Sequence, residues 1–362
     1  MHSMIPSTTK TTGYRPLIFS VILLTLICSS SAENPLPDRE DALSELFHKE
    51  EVTIVVTDSG LGGLSILAEA VERTRDWRGF RKAHFIFFNA LFSNQGGYNS
   101  LKSLEEKVSI FESALTNLEK NYKPDLILIG CNTLSSIFED TAFSQRTKIP
   151  VVGIIDAGVE LIARNLKTHP ESKIILFATQ TTVSQSPHKD RLIGKGFLPE
   201  RIICQACPDL VDYIERGYEG DETEMLIYAY VDEALQKIGN RRDPLFVSLN
   251  CTHYGYSLDL WRKAFKDLGV TPLAFLNPNS KMIDFLFPVK FRNRYERTET
   301  FARVVSMVEI GQEKIASIGT YLNTYSPETA QALTNYELRE NLFEWNRYVK
   351  DRRKFSSRAS NE

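Results

Sequence analysis

The chain has 362 residues, 42% hydrophobic and 25% charged, with a formal net charge of −3. That length suffices for two ordinary domains around a sizeable core, and the balance is that of a soluble globular protein. The charge argues against a general nucleic-acid binder, which would carry a basic patch or stripe.

Residues 1–32 stand apart. Lys10 and Arg15 precede the apolar stretch 17–27, and Cys28-Ser29-Ser30-Ser31-Ala32 follows. A basic start, an apolar centre and a small-residue exit are the parts of a secretory signal, with cleavage expected near Ala32. The protein is then expected to be exported, to a periplasm-like compartment. The alternative is a membrane anchor through 17–27, but that stretch is short against the roughly 20 residues a helical span needs. No other segment is apolar enough to cross a bilayer, so no stable membrane insertion is expected once the signal is removed. Residues 33–50 read as a linker.

From residue 51 strand-like and helix-like segments alternate. Val52 to Val56 reads as a strand, Asp58-Ser59-Gly60-Leu61-Gly62-Gly63 as a tight turn, and Leu64 to Arg73 as a helix. Ala83 to Phe88 is the next strand. Leu101, Leu104, Val108, Phe111, Leu115 and Leu118 recur at spacings of three and four, predicting an amphipathic helix over 101–121. Strands follow at Asp125–Ile129, Val151–Ile155, Lys173–Ala178 and Leu245–Leu249. Helices are expected at 135–143, 159–166, 208–216, 222–238 and 256–268. This alternation predicts an α/β fold of two similar lobes, with mostly parallel sheets covered on both faces and a cleft between them. Lobe 1 takes 51–150, completed by about 252–290, and lobe 2 takes 151–251. Residues 291–362 read as a helical, charged C-terminal extension. Its end carries Arg347, Lys350, Arg352, Arg353, Lys354 and Arg358, expected to form a solvated or frayed terminus.

Two cysteines occupy near-duplicate settings. Gly130-Cys131-Asn132-Thr133 and Asn250-Cys251-Thr252-His253 each follow a short apolar run that reads as a buried strand. Ligands of open α/β sheets bind at the carboxyl ends of strands. A thiol delivered there twice suits a reaction in which one face of a carbon loses a proton and the other gains one. The thiolate is the reactive form, and a neighbouring His such as His253 tunes it. A lone buried cysteine is usually only a small hydrophobe; the duplication is what favours chemistry. The glycine turn lets backbone approach a ligand, and helix-start amides favour an anion. It is neither a dinucleotide nor a triphosphate motif, and the alternative is a plain strand-to-helix turn. Cys204-Gln205-Ala206-Cys207 has the spacing of half a zinc site without a second half, so a local disulfide or two buried thiols fits better than a metal. His188 reads as an exposed loop residue.

These motifs together resemble the signatures of glutamate racemases, of the cofactor-independent aspartate/glutamate racemase superfamily. The glycine turn with Leu64-Ser65, Cys131-Asn132-Thr133 and Cys251-Thr252-His253-Tyr254 carry the resemblance. Val151 to Gly158, Ala178 to Val183 and Ala206-Cys207-Pro208 extend it, over roughly 51–285. The resemblance implies two α/β lobes and a reaction without cofactor or metal. One cysteine would remove the Cα proton of an amino acid and the other would protonate the opposite face, with Cys131 and Cys251 in those roles. Asp58 and His253 would assist proton handling. Ser59, Asn132, Thr133 and Thr252 would hold the substrate, Asp156 would supply a further carboxylate, and Thr179 and Thr182 would line the opposite wall. Where the family has Pro-Tyr-Gly, this chain aligned without gaps reads Gln95-Gly96-Gly97, with Gly97 at the last position of the gripping segment and Tyr98 next to it. The expected substrate is a small acidic amino acid, glutamate before aspartate. A related dicarboxylate chemistry and a non-catalytic binding protein remain open, as does a homodimer. The active thiols are expected to face one another, with their Cα atoms beyond the ~7 Å bridging limit, and to stay reduced.

Overall fold

The computed structural model describes residues 39–350, with side chains from residue 43. The export signal, its anchor alternative over 17–27 and the basic residues after 350 lie outside the described residues. Ten strands are present among those described: β1 Glu51–Asp58, β2 Lys82–Asn89, β3 Leu126–Ile129, β4 Val151–Gly153, β5 Lys173–Ala178, β6 Ile202–Ala206, β7 Leu245–Asn250, β8 Ala274–Leu276, β9 Glu299–Ser306 and β10 Glu337–Leu338. They form two sheets, ordered β10-β9-β2-β1-β3-β4 and β6-β5-β7-β8. Every pairing is parallel. Helices cover the faces, so β3 and β7 are buried along their whole length, as a parallel strand must be. The two-lobed parallel α/β architecture read from the sequence is the one observed.

Local signals explain the element ends. The helix Leu104–Tyr122 starts where the Ser103 hydroxyl accepts from the Glu106 amide, with Glu105 and Glu106 in its first turn. It stops at Lys123, which turns left-handed with φ of 45°. Thr141 interrupts the helix expected over 135–143: Asn132–Ile137 ends in a 3₁₀ turn, and Ala142–Arg146 starts afresh where the Thr141 hydroxyl accepts from the Ser144 amide. β6 was not expected. It is an edge strand, only partly buried, and so lacks the continuous apolar run that marks an interior strand.

Three boundaries differ from the expectation. Residues 39–46 form a helix rather than linker, and Phe47 stacks on Phe291 with centroids 5.6 Å apart. β8, within the segment expected to complete lobe 1, pairs instead with β7 of lobe 2. Lobe 1 is completed by β9, which runs beside β2 from Lys82↔Glu299 to Asn89↔Ser306. The segment after 291 is therefore not a helical appendage. Its last described residues are docked: Leu342, Phe343 and Val349 are buried in the lobe 1 core, and the Lys350 amide donates to Glu106 Oε1 at 2.7 Å.

Candidate active site

The strand ends converge. Asp58 closes β1, Cys131 follows β3, Thr179 follows β5 and Cys251 follows β7. The glycine turn is pressed against the other lobe. A Cβ at Gly62 would lie 2.2 Å from Thr252 Oγ1 and 2.6 Å from His253 Nδ1, and one at Gly60 would lie 2.9 Å from Glu215 Oε1. The glycines thus admit the Thr252-His253 turn, where the sequence reading had them admit a ligand. Gly62→Ala is expected to push that turn away and lower turnover by about 10²-fold, the scale of a 1 Å misplacement. Steady-state kinetics on a variant of unchanged circular dichroism checks this.

Cys131 and Cys251 are each 6% exposed and belong to different apolar clusters, yet both open into one cavity of about 40 Å³. Both are free thiols. Cys131 Sγ lies 3.2 Å from Ser59 Oγ and lines the same cavity as the Asp58 carboxyl group, whose charge acts on it. Cys251 Sγ lies 3.7 Å from His253 Nδ1. Across the same ring, His253 Nε2 is 2.8 Å from Glu215 Oε1. A carboxylate only accepts, so Nε2 carries a proton, and Nδ1 is the ring nitrogen that faces the Cys251 thiol.

Electrostatics follow from burial. Removal from water pushes the Cys131 thiol up to about 12, and the Asp58 charge adds to this. Burial likewise raises Cys251 well above the ordinary thiol range. It also raises Asp58, against the opposing pull of His253 and the Thr252 hydroxyl. Glu215 goes the other way. Burial alone would raise it, but His253 and Lys314 together bring it down to about 2. Its Oε1 also accepts from the Leu61 amide at 2.7 Å, and Lys314 Nζ reaches Oε2 at 2.8 Å and Asp212 Oδ1 at 2.9 Å.

Of the other expected residues, Ser59, Asn132, Thr133, Thr179 and Thr252 line the cavity. Both amide atoms of Asn132 are buried without a protein partner, free to bind something that enters. Thr252 Oγ1 donates to Asp58 Oδ2 at 2.8 Å, and Thr133 and Thr179 hydroxyls lie 3.0 Å apart across the lobes. Thr182 stands behind Thr179, 3.1 Å from its hydroxyl, and does not line the cavity. Gly97, at φ of 56°, borders an adjoining outer chamber. Tyr98 lines that chamber too; its ring packs edge-on to Phe92, 5.2 Å between centroids, and its buried hydroxyl has no protein partner.

Asp156 is a correction. It lies in the first turn of the helix Ile154–Thr168, points to solvent and pairs with Arg191. His188 is another: it is buried, on the helix Pro187–Gly194, with Nε2 unpartnered and its pKa driven down to about 3 by burial and then Arg191. An unfolded histidine titrates near 6.5. The unfolded chain therefore binds the extra proton below that pH, and this group costs stability as pH falls from 6.5 towards 3, by up to about 1.4 kcal/mol per pH unit. Urea unfolding between pH 6.5 and 4 should show that slope reduced in His188→Leu. Cys204 and Cys207 are separate free thiols on and just after β6. Among the described residues no group of three or more His, Cys, Asp or Glu is placed to hold a metal ion.

Glu215, Lys314 and Asn99 are the site residues that the sequence reading missed. Glu215 left a signal: it is an acid on the buried stripe of Leu210–Arg216, beside Leu210 and Ile214. Lys314 left none, because only the docking of the helix Gln312–Asn323 brings it there. Asn99 enters the cavity from the segment after Gly97.

Two parallel α/β lobes closing on a cavity with a thiol from each define a protein of the amino-acid racemase class, an isomerase. The chain belongs to the Asp/Glu/Hydantoin racemase family, whose model matches residues 62–271. It is 30% identical over 216 residues to a glutamate racemase of Clostridium botulinum, covering 59% of this chain and 76% of that protein. A Persephonella marina glutamate racemase is 27% identical over 220 residues, covering 60% and 77%. The fold is that of the Campylobacter jejuni glutamate racemase crystal structure, with a TM-score of 0.56 at 24% identity over 75% of this chain and 98% of that one. The Francisella tularensis glutamate racemase, solved with D-glutamate, gives a TM-score of 0.57 at 21% identity, over 76% and 95%.

Proposed function

We propose that the protein interconverts the enantiomers of an acidic amino acid, glutamate first and aspartate second, using Cys131 and Cys251 as opposed bases. The observation that carries this is the one cavity shared by two thiols, with Asp58 lining it beside Cys131 and His253 Nδ1 3.7 Å from Cys251 Sγ. Cys131 passes its proton to Asp58, or Cys251 passes its proton to His253 Nδ1. The resulting thiolate is desolvated and therefore strongly basic, matched to a weakly acidic Cα–H. It takes that proton while the opposite thiol gives one to the other face, so each turnover exchanges the roles of the two sulfurs. Ionised Glu215 stabilises the imidazolium when His253 holds the Cys251 proton. Asn132 offers its unshared amide, and Thr133 its hydroxyl, to the substrate's polar ends.

The test is incubation with L-glutamate in deuterated water, following α-deuterium by NMR and rotation by circular dichroism. Deuterium uptake with decay of the circular dichroism signal is expected. Saturable binding with neither change would mean that the cleft captures an amino acid without acting on it, and would overturn the proposal.

A further inference from the structure

The inner cavity, about 40 Å³, holds little more than the reacting end of an amino acid. A second chamber of about 550 Å³ adjoins it, and Ser59, Asn99, Thr179 and Val211 line both. A substrate's side chain must therefore lead outward into a space of the size that usually takes a whole ligand. Two methylenes and a carboxylate would fill a small part of it.

Three features of that chamber suit an uncharged extension as well as they suit a bare carboxylate. It is lined by the carboxylates of Asp209, Asp212 and Glu215. Its one lining cation among the described residues, Lys314, already bridges Glu215 and Asp212 at 2.8 and 2.9 Å. Its remaining polar lining is neutral, with Asn94, Ser100 and Gln180 offering amides and hydroxyls that pair with an uncharged amide as readily as with an acid. A side chain at Gly97, whose φ is 56°, would displace Leu91, because its Cβ would lie 2.6 Å from Leu91 Cδ1.

We propose that the site accepts glutamate derivatives whose distal carboxyl is amide-linked to a further uncharged group, with the extension lying in the outer chamber. This rests on the racemase reading and adds no chemical step: inversion at Cα is unchanged.

The experiment compares α-deuterium exchange of L-glutamate, its γ-ethylamide and its γ-anilide with the full chain. The proposal expects kcat/KM for both amides within ten-fold of that for glutamate, or above it. Exchange of glutamate with amides more than ten-fold slower overturns the extended-substrate proposal and leaves the racemase reading standing. Exchange of none of the three overturns both. Gln180→Trp, on the helix Gln180–Gln185 at the chamber wall, is expected to lower the anilide-to-glutamate ratio of kcat/KM at least five-fold. Asn94→Trp gives the same readout from the other lobe. A ratio unmoved by both variants overturns the placement of the extension.

Discussion

Replacing either Cys131 or Cys251 by serine is expected to lower racemisation by about 10³-fold, the scale of a lost general acid–base group. A serine hydroxyl is far less acidic than a thiol, so neither Asp58 nor His253 can draw its proton to make a base. Enantiomers have equal free energy in water, so the equilibrium constant is one. The loss in kcat/KM must therefore be the same in both directions, whichever sulfur is removed. The two variants still differ in a second readout. In Cys131→Ser only the thiol beside His253 remains, and it faces one side of Cα; in Cys251→Ser only the thiol beside Asp58 remains, facing the other side. Residual deuterium exchange without inversion should be confined to one enantiomer in the first variant and to its mirror image in the second. Both variants retaining exchange of the same enantiomer, or undiminished racemisation in either, would refute the opposed-base arrangement.

The second large effect is expected at Glu215. It is buried at 3% exposure, and it gathers the Leu61 amide, His253 Nε2 and Lys314 Nζ. Glu215→Ala leaves the Leu61 amide and His253 Nε2 without their acceptor and Lys314 with Asp212 alone, which costs about 3–5 kcal/mol of stability. Glu215→Gln keeps the shape and removes the charge, and should lower kcat about 10²-fold by leaving a protonated His253 unstabilised. The pH dependence has a definite sign. The carboxyl group is held at about 2 against an ordinary 4.5. Its folded pKa lies below its unfolded one, so its stabilisation is complete above 4.5 and is lost as pH falls from 4.5 towards 2. That shift corresponds to about 3 kcal/mol. Urea unfolding at pH 5 and pH 3 checks it: the native chain should lose more stability across that interval than Glu215→Gln, and equal losses would contradict the assignment.

The legible parts of this site lie in sequence-local signals. An apolar run ending in a cysteine and a small polar residue says where a sulfur sits, because a strand buried on both faces must be apolar and its end must face the ligand side of the sheet. Cys131 and Cys251 were readable on that ground, and His253 as the neighbour of Cys251; the role of Asp58 rested on the family resemblance. Asp156 was misplaced because an acid at a helix start satisfies the helix dipole equally well from the solvent side, and sequence does not record which side it takes. His188 was misread because its flanking Ser, Pro and Lys are surface residues while the histidine itself turns inward. Glu215 and Lys314 depend on two helices far apart in the chain meeting over His253, a contact that no local period encodes. The lobe boundary failed for a related reason: β9 looks like any short amphipathic segment until its partner β2 is known.

That pairing of β9 with β2 affects the order in which the molecule can be made. The smaller sheet assembles from one contiguous stretch, β5 to β8. The larger sheet, which carries Asp58 and Cys131, keeps β2 as a bare margin until residues 299–306 have left the ribosome. A nascent chain halted before that point displays an apolar strand with unsatisfied amides and carbonyls, a template for sticking to its neighbours. Clipping or premature termination between β8 and β9 would therefore yield an aggregating species, even though every residue lining the inner cavity would already have been synthesised.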